Sequence, residues 1–214
     1  KLHKANVLAI ARNKDGLTKL EKECYEINSE FKLHVLELDL AEKESTDAVF
    51  SYIKKNMNNS LDGIIHNAGV LVKKYFKDIT YDDLEKSFKI NLFSPFILTQ
   101  KLMPLFNKET HVLSISSMGG VQGSQKFPGL SAYSTSKSTL ITLTECLAEE
   151  FKKTGFTFNC LALGAVQTEM LSEAFPGYEA PLSASEMGDF IANFFHDGPR
   201  YFNGKLIPIS LTTP

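Results

Sequence analysis

Short runs of consecutive apolar residues alternate along the chain with longer stretches whose apolar positions recur every three or four residues. Val7-Leu8-Ala9-Ile10-Ala11 has the continuous apolar character of a strand buried on both faces. The polar stretch after it carries Leu17, Leu20, Cys24 and Ile27 at helical spacing. Leu33 to Leu38 predicts a second strand, ended by Asp39, and Ala48, Val49, Tyr52 and Ile53 stripe the next helix. A third strand begins at Ile64-Ile65, and a fourth runs from Val112 to Ile115. Between them one helix is predicted from about Tyr81 to Phe106, with Leu84, Phe88 and Leu92 on one face. Another runs from about Ser131 to Lys153 through Leu140, Leu143, Leu147 and Phe151. Phe156 to Leu163 and Leu206 to Ile209 complete the strands. Repeated β-then-α units with near-continuous apolar strands predict an α/β fold, a doubly wound parallel sheet with helices on both faces. Neither a repeat nor a linker interrupts residues 1–214, so a single domain is expected.

Composition narrows the function classes. At 214 residues, 43% hydrophobic and 22% charged, the chain has the make-up of an ordinary globular protein. A net charge of -2 gives no electrostatic case for a nucleic-acid partner. The pairs Lys54-Lys55, Lys73-Lys74 and Lys152-Lys153 read as solvated surface. No apolar run approaches the ~18 residues of a membrane span, and Pro95 and Pro104 break the longest one. Cys24, Cys146 and Cys160 form no Cys-x-x-Cys pair, which favours a reducing, cytoplasmic setting. Cys146 and Cys160 are expected as core thiols and His66 as a structural residue. The five histidines are too widely spaced to suggest a metal site.

Three local groups carry chemistry. Tyr133 and Lys137 lie four positions apart at the start of the long helix, which places both on one face. An ammonium held beside a phenol favours the phenolate, and a tyrosine tuned in this way serves as a general acid or base near neutral pH. Ser116-Ser117 ends the fourth strand, where an open parallel sheet binds its ligands. Asn67-Ala68-Gly69 ends the third strand as a small turn that exposes its backbone. Taken singly, each is also what an ordinary helix, strand end or turn shows.

In this order and together with Asn91 and Gly164-x-Val166-x-Thr168, these groups resemble the short-chain dehydrogenase/reductase family over nearly the whole chain. The resemblance implies an oxidoreductase that moves a hydride between a nicotinamide cofactor and a small carbonyl or alcohol. Tyr133 would be the general acid/base, Ser117 would hydrogen-bond the substrate carbonyl, and Lys137 would hold the nicotinamide ribose and lower the Tyr133 pKa. Asn91 would anchor a water in a proton relay to Lys137. The cofactor would contact Asp39 and Leu40 at the adenine, Asn67, Ala68 and Gly69 at the adenosine ribose, and Gly164, Val166 and Thr168 toward the nicotinamide. The family also commonly pairs the helices beginning near Tyr81 and Ser131 with symmetry mates, which implies a homodimer or homotetramer. Independently of family, Pro95 lies four positions after Asn91 and has no N–H for the Asn91 carbonyl, which leaves that carbonyl open to a water.

The residues depart from the family pattern in places. The first strand and the glycine-rich turn that carries the cofactor pyrophosphate are missing from this sequence. Roughly 20 residues upstream of Lys1 are therefore expected, enough for a strand, a turn and a helix. Leu163 replaces the usual proline before Gly164, and Gly119, Gly120, Gly123 and Gly129 lengthen the loop between Ser117 and Tyr133. After Thr168, the apolar Met170, Leu171, Phe175 and Tyr178 predict a short substrate lid over about 169–198. Arg12 follows the strand from Val7 with no carboxylate before Asp15, which points to NADP(H) through a guanidinium–phosphate contact. Two other readings stay open: a non-redox or epimerising enzyme on the same scaffold, and a non-catalytic nucleotide-sensing module.

Overall fold

The structure, a computed structural model, describes residues 5–28, 30 and 33–211. Two compact units are present, Lys1–Asn59 and Ser60–Pro214. In the first, β1 (Val7–Ala11) pairs in parallel with β2 (Leu33–Glu37), in register from Val7 opposite Leu33 to Ala11 opposite Glu37. Helix α1 (Lys14–Ile27) starts at Asn13, whose side chain accepts the Gly16 N–H at 3.0 Å. Helix α2 (Ser45–Asn56) buries Val49 and Ile53 from the predicted stripe.

The second unit carries a four-stranded parallel sheet and a small two-stranded ladder. Its main strands are β3 (Leu61–His66), β4 (Phe106–Ser117) and β5 (Thr157–Leu163). The ladder pairs β6 (Val166–Gln167) with β7 (Leu182–Ser183), and β8 (Lys205–Ile209) completes the large sheet in the order β3-β4-β5-β8. Among the described residues, neither β1 on the side away from β2 nor β3 on the side away from β4 has a partner strand.

Alternation along β4 and β5 sends side chains to two separate cores. Val112 and its register partner Phe158 pack with Ala148 of helix α5 (Ser131–Glu150). Leu113, Ile115 and Leu161 pack on the other face against Ile191, Phe194 and Phe195 of helix α7 (Ala184–Asp197). Helices on both faces of a parallel sheet are the doubly wound α/β class expected from the sequence. No helix among the described residues is long and apolar enough to cross a membrane.

Three expectations need correction. The helix from Tyr81 to Phe106 is not continuous: α3 (Tyr81–Phe88) runs through a π-turn at Lys89–Phe93 into α4 (Ser94–Leu102). Pro95 supplies no N–H, and the Ser94 N–H reaches the Lys89 carbonyl, five residues back. Pro104 then closes the segment in a 3₁₀ turn at Met103–Leu105. Cys146 is exposed rather than a core thiol. The buried face of α5 is Ser136, Leu140, Thr144 and Ala148, and a residue two past Thr144 points about 200° away from it. Helix α6 (Glu169–Ala174) occupies the expected lid, whereas α7 belongs to the core.

Candidate active site

The carboxyl ends of β3, β4 and β5 lie side by side, with His66 opposite Ser114 and Ser117 opposite Leu163. Adjacent strand residues face opposite ways. Ser116 accordingly turns into α5 and donates to the Lys137 carbonyl at 2.7 Å. Ser117 meets Tyr133: its hydroxyl hydrogen-bonds the phenol, and its Oγ accepts the Gly119 N–H at 3.2 Å. The turn after Ser117 packs directly on the α5 backbone. A Cβ on Gly120 would lie 2.8 Å from the Ser138 nitrogen and 2.9 Å from the Lys137 carbonyl carbon. A side chain there would push the helix and Tyr133 away from Ser117.

Lys137 is 4% exposed, and Nζ donates to the Ile115 carbonyl at 2.8 Å. Burial lowers its pKa to about 8, with the neighbouring Cys160 pulling the other way. Burial raises the Tyr133 pKa, and the Ser117 hydrogen bond opposes that rise. The expectation that Lys137 lowers the Tyr133 pKa is therefore not met in this structure. Helical spacing puts the two residues on one face, but the ammonium is aimed at Ile115 and does not contribute to the phenol's titration.

Asn91 fixes the floor of the site. It is fully buried, its Oδ1 accepts the Val70 N–H at 2.9 Å, and its Nδ2 donates to the Val70 carbonyl and to Ser136 Oγ, each at 2.9 Å. One side chain thus ties the turn after β3 to α5 beside Lys137. Gly69 lies against this junction, where a Cβ would stand 3.2 Å from Lys137 Nζ and 3.4 Å from Asn91 Oδ1. Among the described residues Lys137 Nζ has one hydrogen-bond acceptor, Ile115. An ammonium has three N–H donors, so two remain for a ligand beside a backbone with no side chain. That donor set fits a ribose diol.

The remaining expected residues are placed less tightly. Asn67 and Ala68 are exposed in the turn after β3, where the Asn67 N–H returns to the Ile65 carbonyl at 3.0 Å. The Gly164 N–H bonds the Ile209 carbonyl at 2.8 Å, and Val166 lies in β6. Thr168 caps α6 and accepts the Leu171 N–H at 3.3 Å. In the other unit Arg12 forms an ion pair with Asp39 at 3.6 Å, and Asp39 Oδ1 accepts the Ala41 N–H at 2.9 Å across Leu40. His66 is structural as read: its Nε2 bonds Thr99 Oγ1 at 2.7 Å, and burial lowers its pKa to about 4. Sequence reasoning missed Ser136, the partner of Asn91. Its only local signal is a small polar residue one position before Lys137.

A groove of about 690 Å³ lies along another face of α5, lined by Ser131, Ser134, Thr135 and Ser138 opposite Phe76 and Phe127. Ser117, Tyr133 and Lys137 do not line it.

The sequence profile of the family described as short chain dehydrogenase matches residues 2–179, and the chain belongs to that family. The 3-oxoacyl-(acyl-carrier-protein) reductase of Aquifex aeolicus is 32% identical over 141 residues, covering 65% of this chain and 55% of that protein. The L-2,3-butanediol dehydrogenase of Corynebacterium glutamicum is 31% identical over 136 residues, covering 62% and 51%. The chain thus spans about half the length of these curated relatives. A solved short chain dehydrogenase from Escherichia coli CFT073, complexed with NADPH, is 25% identical with a TM-score of 0.84, covering 95% of this chain and 85% of that one.

Proposed function

We propose that the chain is an NADP(H)-dependent oxidoreductase interconverting a small carbonyl compound and its alcohol, with Tyr133 as the proton donor and acceptor. The observation that carries this reading is the Ser117–Tyr133 hydrogen bond at the end of β4, with the buried Lys137 one helical turn away. Ser117 and Tyr133 present two hydroxyls to one substrate oxygen. The raised phenol pKa keeps Tyr133 protonated at neutral pH, the state an acid needs in the reductive direction. The bound cofactor supplies or accepts the hydride at the substrate carbon.

The spare N–H groups of Lys137 would hold the ribose of the cofactor. A lysine with a pKa of about 8 can also give up its proton near neutral pH, which suits a relay behind Tyr133. The Asn91 side chain is fully used as a clamp, and its main-chain carbonyl, deprived of an N–H from Pro95, is the group left to hold a water. Asn67, Ala68 and Gly69 offer backbone to the adenosine side, and Gly164, Val166 and Thr168 line the nicotinamide side. Asp39 and Leu40 serve the adenine, and Arg12 serves the 2′-phosphate. The NADPH-bound relative supports that cofactor choice.

The exposed Phe93 at the end of the π-turn, Phe96 and Ile97 on α4, and the small-residue face of α5 support a homodimer or homotetramer. The three free cysteines support a reducing, cytoplasmic setting. NADPH absorbance followed against a panel of aldehydes and ketones tests the activity: consumption that disappears in Tyr133→Phe supports the reading. Tight NADPH binding with no turnover would favour the sensing module. A monomeric mass by light scattering at micromolar concentration would rule out the assembly.

A further inference from the structure

We infer that Lys73 is a positioning residue that latches the lid over the substrate side of the site. Its Nζ donates to the Ala174 carbonyl at 2.6 Å and stands 4.0 Å from the centre of the Phe175 ring. Ala174 ends α6, where a carbonyl has no helical partner and a cation is favoured. Lys73 belongs to the segment after β3, and Ala174 to the segment after β5. In the sheet order β3-β4-β5, a tie between these segments spans the end of β4, which carries Ser117. The loop after β4 lies beneath it: Gly129 has φ +83, and a Cβ there would come 3.5 Å from Lys73 Cγ.

The base of this latch is rigid and its catch is not. The Lys74 N–H bonds the Gly129 carbonyl at 3.0 Å, the Lys74 ammonium grips both Asp83 carboxylate oxygens at 2.8 and 2.7 Å, and Val72 is buried. Residues 169–179, by contrast, bond mostly to their own loop. Gln167 holds Ser172 Oγ at 3.0 Å and the Ala180 N–H at 2.8 Å, which closes the loop at its root. Among the described residues, the Lys73 contact is the one polar tie from 169–179 to the rest of the unit beyond that root. Lys73 takes part in no ion pair among the described residues, so no carboxylate competes for the ammonium. Release of one hydrogen bond and one cation–π contact therefore frees the lid for substrate entry, and re-formation sets the position of Leu171 and Phe175 against the substrate.

The lid tie stands on geometry alone, whereas its role in turnover rests on the reductase reading above. The test uses Lys73→Met, which keeps the aliphatic stem, and Lys73→Arg, which keeps the cation. In the first arm a glutamyl-specific protease reports the lid by cleavage after Glu173 and Glu179. Lys73→Met should be cut about fivefold to tenfold faster at an unchanged melting temperature, with Lys73→Arg close to wild type. Equal cleavage of all three proteins overturns the latch. If Lys73→Met melts earlier, Phe175→Leu removes the ring side of the contact and is read in its place, by the same criterion. In the second arm, with a substrate from the carbonyl panel, Lys73→Met should raise KM about tenfold and leave kcat within twofold. A loss of kcat at unchanged KM overturns the positioning role. Absence of turnover in the wild type would defeat the reductase reading and leave the proteolysis arm to decide the latch.

Discussion

The buried clamp around Asn91 and the loop of residues 169–179 hold their polar groups in opposite ways. Asn91 spends three hydrogen bonds within the interior, Ser116 grips the α5 backbone, and Lys137 is buried with its ammonium on Ile115. The loop has one exposed lysine contact beyond its own root among the described residues. The exposed Arg12–Asp39 pair of the other unit resembles the loop in this respect, with Arg12 67% and Asp39 35% exposed. The lesson is one of energetic placement. Polar groups that tie elements together are buried, where an unpaired polar atom is costly, and the contacts of the two surface segments are left in water, where they break easily.

That contrast can be broken most sharply at Tyr133. Tyr133→Phe keeps the ring and removes the hydroxyl, and turnover should fall by ~10²–10⁴-fold with little change in melting temperature. A Phe variant with full turnover would remove Tyr133 from the chemistry. Asn91→Leu strips the floor of its clamp and leaves the Val70 N–H and carbonyl unpaired. It should destabilise the chain by about 2–4 kcal/mol in urea titrations, and a loss below ~0.5 kcal/mol would mean that water replaces the clamp.

Lys137→Met should move stability the other way. The Lys137 pKa falls from 10.5 in the unfolded chain to about 8 in the folded one. The unfolded state then binds more protons between those values, so burial of the charged lysine costs stability below pH 8 and the cost fades as pH rises toward 10.5. At roughly 1.4 kcal/mol per unit, the Met variant should gain up to about 3 kcal/mol near pH 7, less what the Ile115 hydrogen bond contributed. The gain should shrink above pH 8, and catalysis should be lost. An advantage that does not change with pH would show that the lysine titrates alike in the folded and the unfolded chain. The smallest effect is expected at the exposed pair. Arg12→Asp should weaken NADPH binding about tenfold and NADH binding little, and added salt should reproduce part of that loss in the wild type. Equal wild-type use of both cofactors would end the 2′-phosphate assignment.

What could be read from the sequence follows the range of each interaction. Tyr133 and Lys137 share a helical face because of local spacing, and apolar runs marked the main strands, although β3 and β4 begin at Leu61 and Phe106, well before the runs predicted from Ile64 and Val112. Pro95 was legible as the loss of one N–H, but the helix around it was still read as continuous. A π-turn needs only one shifted hydrogen bond and leaves the apolar periodicity almost unchanged. The clamp was out of reach: Asn91 meets Val70 and Ser136 across 21 and 45 positions, and Lys73 meets Ala174 across 101. No periodicity encodes such pairs. Cys146 was misjudged because membership of a helix was read as burial, when only the phase about the axis decides it.

The π-turn at Lys89–Phe93 also sets the phase of everything that follows it. Relative to an α-helix it holds one surplus residue, and each residue turns the helix by about 100°. With that surplus in place, α4 presents Leu98 and Leu102 to the interior and Phe96 and Ile97, beside Phe93 of the turn, to the outside. Straightening the segment into regular α-helix with all its residues kept would rotate that whole pattern by more than a quarter turn. Leu98 and Leu102 would swing off the core while the aromatic face swung toward it. The wide turn itself therefore holds the phase of α4, in a way that none of its side chains, taken singly, would reveal.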